Sequence, residues 1–388
     1  MSLRVLLAVG VAVLYLSPVT LTRAGDRTEG TSCPSYVATV YEHQVILNPE
    51  PHVPLSRAAA LEHMMRNLKV YEEQAARGAQ IIVFPEDGIH GFNFSRLSIS
   101  GYLETIPDPL TEDWNPCTQP DRHNQTEVLQ SLSCMARRHH LYLVANMPDL
   151  QPCPLTSHPH LDPSQTPCPP DGRWQFNTDV VFRSDGSLAA RYHKQNLFFE
   201  KESDTPLRLE VVTFDTPFAG RFGVFSCFDI LFHDPTVRLL EKVHKVMIFP
   251  TAWMNLLSLL TAVQIQRAVS LGANVTLLAA NLRHDSKAMT GSSIFTPSTS
   301  IYHHAFHHPR EPELLVLRIP VLDKGEAKGS SFPLPPPFNA FMAGDLFFFA
   351  LLLDSEGQLT LCDGLLCCQL QYQRSTQGGN TELYFLFI

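Results

Sequence analysis

The chain has 388 residues, of which 44% are hydrophobic and 17% charged. That is enough apolar material for a large buried core and excludes a disordered chain. Its formal charge is −9, from 29 basic and 38 acidic residues with no basic block, which excludes the electrostatic footprint of a nucleic-acid-binding protein.

Residues 1–24 have the layout of a secretory signal peptide. Arg4 precedes an apolar run at 5–16, and Thr22-Arg23-Ala24 puts small residues at −3 and −1 of a cleavage site. The run is shorter than the ~20 apolar residues that span a bilayer. No later segment reads as a membrane span, and residues 383–388 are too short for the tail of a lipid-anchor signal. Secretion makes most of the 9 cysteines disulfide candidates, and the odd number leaves at least one thiol over. Three Asn-x-Ser/Thr sequons, at Asn93, Asn124 and Asn274, fit the same compartment.

A β-rich run at 36–41 is followed by a helix. Ser56 is its N-cap, Leu61, Met64, Met65 and Leu68 share one face, and Gly78 stops it. Residues 81–84 form a short apolar strand, 128–135 a helix and 141–145 a buried strand. This alternation predicts a layered α/β sheet. Residues 148–173 read as a proline- and cysteine-rich loop pinned by Cys153 and Cys168. Strands are predicted at 176–182 and 188–192, joined by the turn Ser184-Asp185-Gly186, then at 211–214, 223–226, 246–249 and 275–280. A helix is expected at about 256–271. The pattern fades near 317–321. Residues 322–337 read as a linker, and 338–388 as a small apolar remnant holding Cys362, Cys367 and Cys368, in which the adjacent Cys367 and Cys368 take separate partners.

Three segments place a reactive side chain at a strand end. Phe84-Pro85-Glu86-Asp87-Gly88 puts a carboxylate just past a buried strand, where proline ends the ladder. Arg191-Tyr192-His193-Lys194 ends a strand on an amine. Gly223-Val224-Phe225-Ser226-Cys227-Phe228-Asp229 runs a strand straight into a thiol, with backbone N–H groups following it that suit an oxyanion. Singly, each has a plainer reading: a loop acid, a solvated lysine, a disulfide cysteine.

Together, Glu86, Lys194 and Cys227 in this order resemble the Glu-Lys-Cys triad of the nitrilase superfamily. The strings at 83–94, 192–194, 214–223, 227–230 and 250–255 are similar to those of its biotinidase and vanin (pantetheinase) branch. Gly91-Phe92-Asn93-Phe94, Ala219-Gly220-Arg221 and the sequons at Asn93 and Asn124 lean toward the biotinidase side. The resemblance runs from about 36 to 318 and implies a four-layer αββα sandwich. That gives a catalytic domain at 33–321, the linker, and a β-rich C-terminal domain of which 338–388 would be a truncated remnant.

It also implies the chemistry. Cys227 would attack an amide carbonyl, with its pKa lowered by Lys194. Lys194 and the backbone N–H of Phe228 would hold the oxyanion, and Glu86 would move the proton. No metal or cofactor is required. The substrate class is a small-molecule amide: a biotinyl amide such as biocytin or, as the alternative, pantetheine. An inactive secreted binding paralogue is the reading from another class. Trp253 lines the pocket or belongs to the core. Asp229 and Asn255 support the site or bond within local turns. His303, His304, His307 and His308 read as a solvated loop rather than a metal site, because proline and the lack of helical periodicity argue against stacked ligands. His139-His140 suits a helix C-terminus. The oligomeric state is left open.

Overall fold

A computed structural model of the chain describes residues 34–153, 168–243, 245–256, 261–304 and 313–321, and further strands between 338 and 387. The segment 1–24, the linker 322–337, residues 154–167 of the proline-rich loop, and His307 and His308 lie outside the described residues.

The elements follow in chain order. They are β1 (Ser35–Tyr41), β2 (His43–Gln44), α1 (Arg57–Ala75), β3 (Ile81–Val83), α2 (Glu127–His139), β4 (Tyr142–Pro152), β5 (Arg173–Phe182) and β6 (Leu188–His193). Then come β7 (Thr213–Thr216), β8 (Gly220–Val224), α3 (Thr236–Lys242), β9 (Val246–Thr251), α4 (Ala262–Gly272), β10 (Thr276–Arg283), β11 (Ser292–Phe295), β12 (Ser300–His303) and β13 (Leu314–Pro320).

Two sheets form. One has the order β13-β1-β3-β4-β5-β6, the other β12-β11-β10-β9-β8-β7 with β2 beside β10. In both, the central strands are parallel: β1, β3 and β4 in one and β8, β9 and β10 in the other. Their sequences are almost wholly apolar because both faces are covered. Alternation divides the side chains. Ile81 and Val83 of β3 meet Val246 and Ile248 of β9 in the core between the sheets. Ile82 points the other way, into a core with Met64, Leu68 and Tyr71 of α1 and Leu129, Leu132 and Met135 of α2. Met247 and Phe249 pack with Leu239 of α3 and Ala262 of α4. The layers are therefore α, β, β, α, as expected.

Local signals act as read. Ser56 caps α1, accepting from the Ala59 N–H at 3.3 Å, and Gly78 takes φ +82°. The buried face is rotated slightly from the predicted one: Ala60, Met64, Leu68, Tyr71 and Ala75 are inside, while Leu61 and Met65 are partly covered.

Four boundaries need correction. β4 runs to Pro152 and pairs with β5 up to Arg173, so residues 148–152 and Arg173 of the expected 148–173 loop are strand. Pairing across the hairpin holds them despite the prolines. Cys153 and Cys168 are bonded, as expected, and so are Cys117–Cys134 and Cys362–Cys367. β7 and β8 are a tight antiparallel pair nearer each other than predicted; the turn is made by Gly220 at φ +76°. α4 starts at Ala262 rather than near 256, because Leu256 takes extended pairing and Asn255 Oδ1 accepts from the Ala262 N–H at 2.9 Å. The fading pattern at 317–321 is strand β13, paired with all of β1. With it, His303 is no solvated residue: it lies at the end of β12, buried between Glu42 and Glu313.

After residue 337, β14 (Phe338–Met342), β15 (Asp345–Leu352) and β18 (Tyr384–Phe387) form one small sheet. β16 (Glu356–Asp363) and β17 (Leu366–Gln373) form a hairpin.

Candidate active site

The parallel strands end together at one edge of the two sheets, and there the three segments converge. Cys227 follows β8 and opens a short 3₁₀ turn, Cys227–Leu231. Its φ is +44°, a left-handed conformation that is uncommon for a residue with a Cβ and recurs at functional sites. The turn is fixed by Asp229. Its Oδ2 accepts from the Ser226 N–H and the Tyr192 hydroxyl, at 3.1 and 2.6 Å; its Oδ1 accepts from the Asn196 N–H and Nδ2, at 2.9 and 2.8 Å. Asp229 thus ties the cysteine turn to the segment that follows β6, so it is more than a local turn acid. Asn255 instead holds the start of α4.

Lys194 leaves β6 fully buried, at 1% exposure. Its Nζ donates to Glu86 Oε1 at 2.6 Å and to Glu200. Burial opposes the ammonium, but the charges of Glu200, Glu86 and Cys227 outweigh it and hold Lys194 well above its ordinary pKa. Glu86 follows β3 and Pro85. Its Oε1 also accepts from Asn177 Nδ2 at 2.8 Å, and its Oε2 accepts from the Ala252 N–H, just past β9, at 2.9 Å. Asn177, on β5, donates to Glu200 as well, at 3.0 Å, and so orients both carboxylates against the ammonium.

The Cys227 thiol faces Glu86, Lys194 and the Thr251 hydroxyl. Lys194 does draw its pKa down, as expected. However, burial and the Glu86 carboxylate outweigh that pull and push the thiol well above its ordinary value. A carboxylate stands beside the sulfur to take its proton. Two other acids stand close: Asp87 is raised by burial and by its neighbours Glu86 and Glu200, and Glu202 is pushed up to about 7 by burial and Glu200.

Glu200 and Asn177 were missed in the sequence. Glu200 sits in a loop without periodicity. Asn177 did carry a signal, a polar residue in a strand that is otherwise buried. Phe228 presents its backbone N–H in the first turn after Cys227, where such groups lack helical partners; its ring contacts Phe198 and Phe232. Trp253 is 4% exposed and packs in the cluster that contains Cys227 and Phe225. Its backbone is clamped by Asn281 through bonds of 2.8 and 3.1 Å. Of the sequons, Asn93 and Asn124 are exposed and Asn274 is half-buried. Among the described residues no group of three or more His, Cys, Asp or Glu is arranged to hold a metal ion, and no helix is long and apolar enough to cross a membrane.

The model of the carbon-nitrogen hydrolase family matches residues 46–295. A biotinidase of Takifugu rubripes is 58% identical over 381 residues, covering 91% of this chain and 74% of that protein. A pantetheinase of Bos taurus is 43% identical over 385 residues, covering 92% and 71%. Among solved structures, an amidase from Nesterenkonia sp. aligns with a TM-score of 0.48 at 20% identity, covering 76% of this chain and 94% of the amidase. The chain is an amide-hydrolysing enzyme of the carbon-nitrogen hydrolase family, in the branch that holds the biotinidases and pantetheinases.

Proposed function

We propose that this protein hydrolyses biotinyl amides such as biocytin through a thioester on Cys227. The observation that carries the mechanism is the Glu86 carboxylate, held by three donors beside the Cys227 thiol. The choice of substrate rests on the 58% identity to a biotinidase.

In the first step Glu86 takes the thiol proton and the sulfur attacks the amide carbonyl. The oxyanion meets Lys194 and the Phe228 N–H. An ammonium has three donors; two of those on Lys194 are taken by Glu86 and Glu200, which leaves one for the substrate oxygen. Glu86 then gives its proton to the leaving nitrogen, the C–N bond breaks and the amine departs. Water, losing a proton to Glu86, attacks the thioester; the acid leaves and Cys227 recovers its proton. Trp253 borders the acyl pocket in this reading. The signal-like segment, the disulfides and the accessible sequons at Asn93 and Asn124 support a secreted glycoprotein with residues 33–321 as its catalytic domain.

The test is to express the secreted chain and assay biotinyl-aminobenzoate and pantetheine side by side. We expect faster turnover of the biotinyl amide and its loss in Cys227→Ser. Faster turnover of pantetheine overturns the substrate. Activity in Cys227→Ser overturns the nucleophile, and no turnover of either amide favours a binding paralogue.

A further inference from the structure

β8 and β9 run parallel, with Phe222 beside Val246, Gly223 beside Met247 and Val224 beside Ile248. The register continues past the end of β8. The Phe225 N–H donates to the Ile248 carbonyl at 3.2 Å, the Phe225 and Phe249 rings stack at 4.8 Å, and the Ser226 hydroxyl reaches the Pro250 carbonyl at 3.4 Å. One step further, Thr251 stands beside Cys227, and both point to the sheet face that carries Phe225 and Phe249.

Thr251 is completely buried. Its hydroxyl makes no hydrogen bond in the resting structure, to sulfur included, and the β8–β9 register sets it beside Cys227. A buried hydroxyl without a partner is destabilising relative to the isosteric methyl of valine. Valine would also suit this strand position better. Packing therefore does not account for the hydroxyl, and the sulfur beside it does.

We propose that Thr251 is a positioning residue for the nucleophile, its hydroxyl donating to the Cys227 sulfur as Glu86 removes the thiol proton. This rests on Cys227 being the nucleophile. The β-branched side chain is stiff at χ1, so the strand holds the donor in place. The charged groups around the sulfur are Glu86 and Lys194, with Glu200 behind Lys194. Glu86 disfavours the thiolate and Lys194 favours it. The hydroxyl adds a neutral donor that strengthens as charge builds on sulfur, and it fixes the sulfur toward the carbonyl.

The experiment is the pH dependence of iodoacetamide alkylation at Cys227 in the full secreted chain, read by peptide mass for wild type, Thr251→Val and Thr251→Ser. The exposed thiol of Cys368 is the internal control. In Thr251→Val we expect the Cys227 profile to move up by about one pH unit, which makes alkylation about ten-fold slower at fixed pH. kcat should fall by a similar factor with KM little changed, Thr251→Ser should restore both, and Cys368 should be unaffected. Should Thr251→Val fail to be secreted, Thr251→Ala is read in its place. A folded Thr251→Val with the wild-type profile overturns the proposal, as does a Thr251→Ser as impaired as Thr251→Val, which would assign the effect to the methyl group. The failures are distinguishable: amide cleavage surviving in Cys227→Ser removes the nucleophile assignment, whatever the alkylation profile shows.

Discussion

Lys194 keeps its charge in the protein interior because Glu86 and Glu200 face it. An isolated buried ammonium would lose its proton instead. This balance has a pH signature. Glu200 is raised above its ordinary value by burial, against the pull of Lys194. As pH falls it therefore takes up a proton earlier than an exposed glutamate, and Lys194 then loses an anchor. We expect kcat/KM to decline on the acid side with a midpoint above about 4.3, the value of a free glutamate, and this limb to change in Glu200→Gln. A profile flat down to the range of a free carboxylate would contradict it. Glu86, Lys194 and Cys227 were legible in the sequence because each lies within three residues of a strand end in a distinctive string. Glu200 and Asn177 were not, because their importance comes from partners brought to them by folding. The pull of Lys194 on the thiol was legible too, but the opposing effects of burial and Glu86 exist only in the folded chain.

At the scale of elements, α1 and the strand β3 are joined to the site through Tyr71. This buried residue of α1 stacks on Phe84 at 3.7 Å and 6°, and its hydroxyl fills the space beside Gly88. A Cβ built on Gly88 would lie 2.0 Å from that oxygen. Gly88→Ala should therefore cost about 1–3 kcal/mol, the usual range for overpacking, read as a lower denaturant midpoint. It should also lower kcat, since the displaced loop carries Glu86. The elements found from the sequence are those with strong periodicity or apolar runs, such as α1, β3 and β9. The missed ones include β2, α3, β11, β12 and β13. Ser292-Ser293-Ile294-Phe295 and Ser300-Ile301-Tyr302-His303 carry too many small or polar residues to read as strands, and pairing with the already formed edge at β10 makes them so.

At the scale of the molecule, the αββα arrangement depends on β13, which covers the edge of β1. Ile319 is fully buried between the sheets, whereas Val316 on the same strand is half exposed. An aspartate at 319 would be an unpaired buried acid, a cost of several kcal/mol against a typical total of about 5–15. Ile319→Asp should thus abolish secretion of soluble protein. Val316→Asp should change stability by less than about 0.5 kcal/mol. Equal secretion of the two would show that the strand is dispensable.

The same pairing sets an order of events during synthesis. β1 is among the first strands to leave the ribosome and β13 is the last of the two large sheets. Until Leu314 to Pro320 emerge, the outer edge of β1 offers unpaired backbone groups to any other extended chain. Cys227, the proposed nucleophile some ninety residues earlier, is made well before the domain can close around it. Cys117–Cys134 and Cys153–Cys168 join residues close in sequence, so they can form while that edge is still open. The nascent chain is therefore most vulnerable to aggregation when every strand of the two large sheets except β13 is in place.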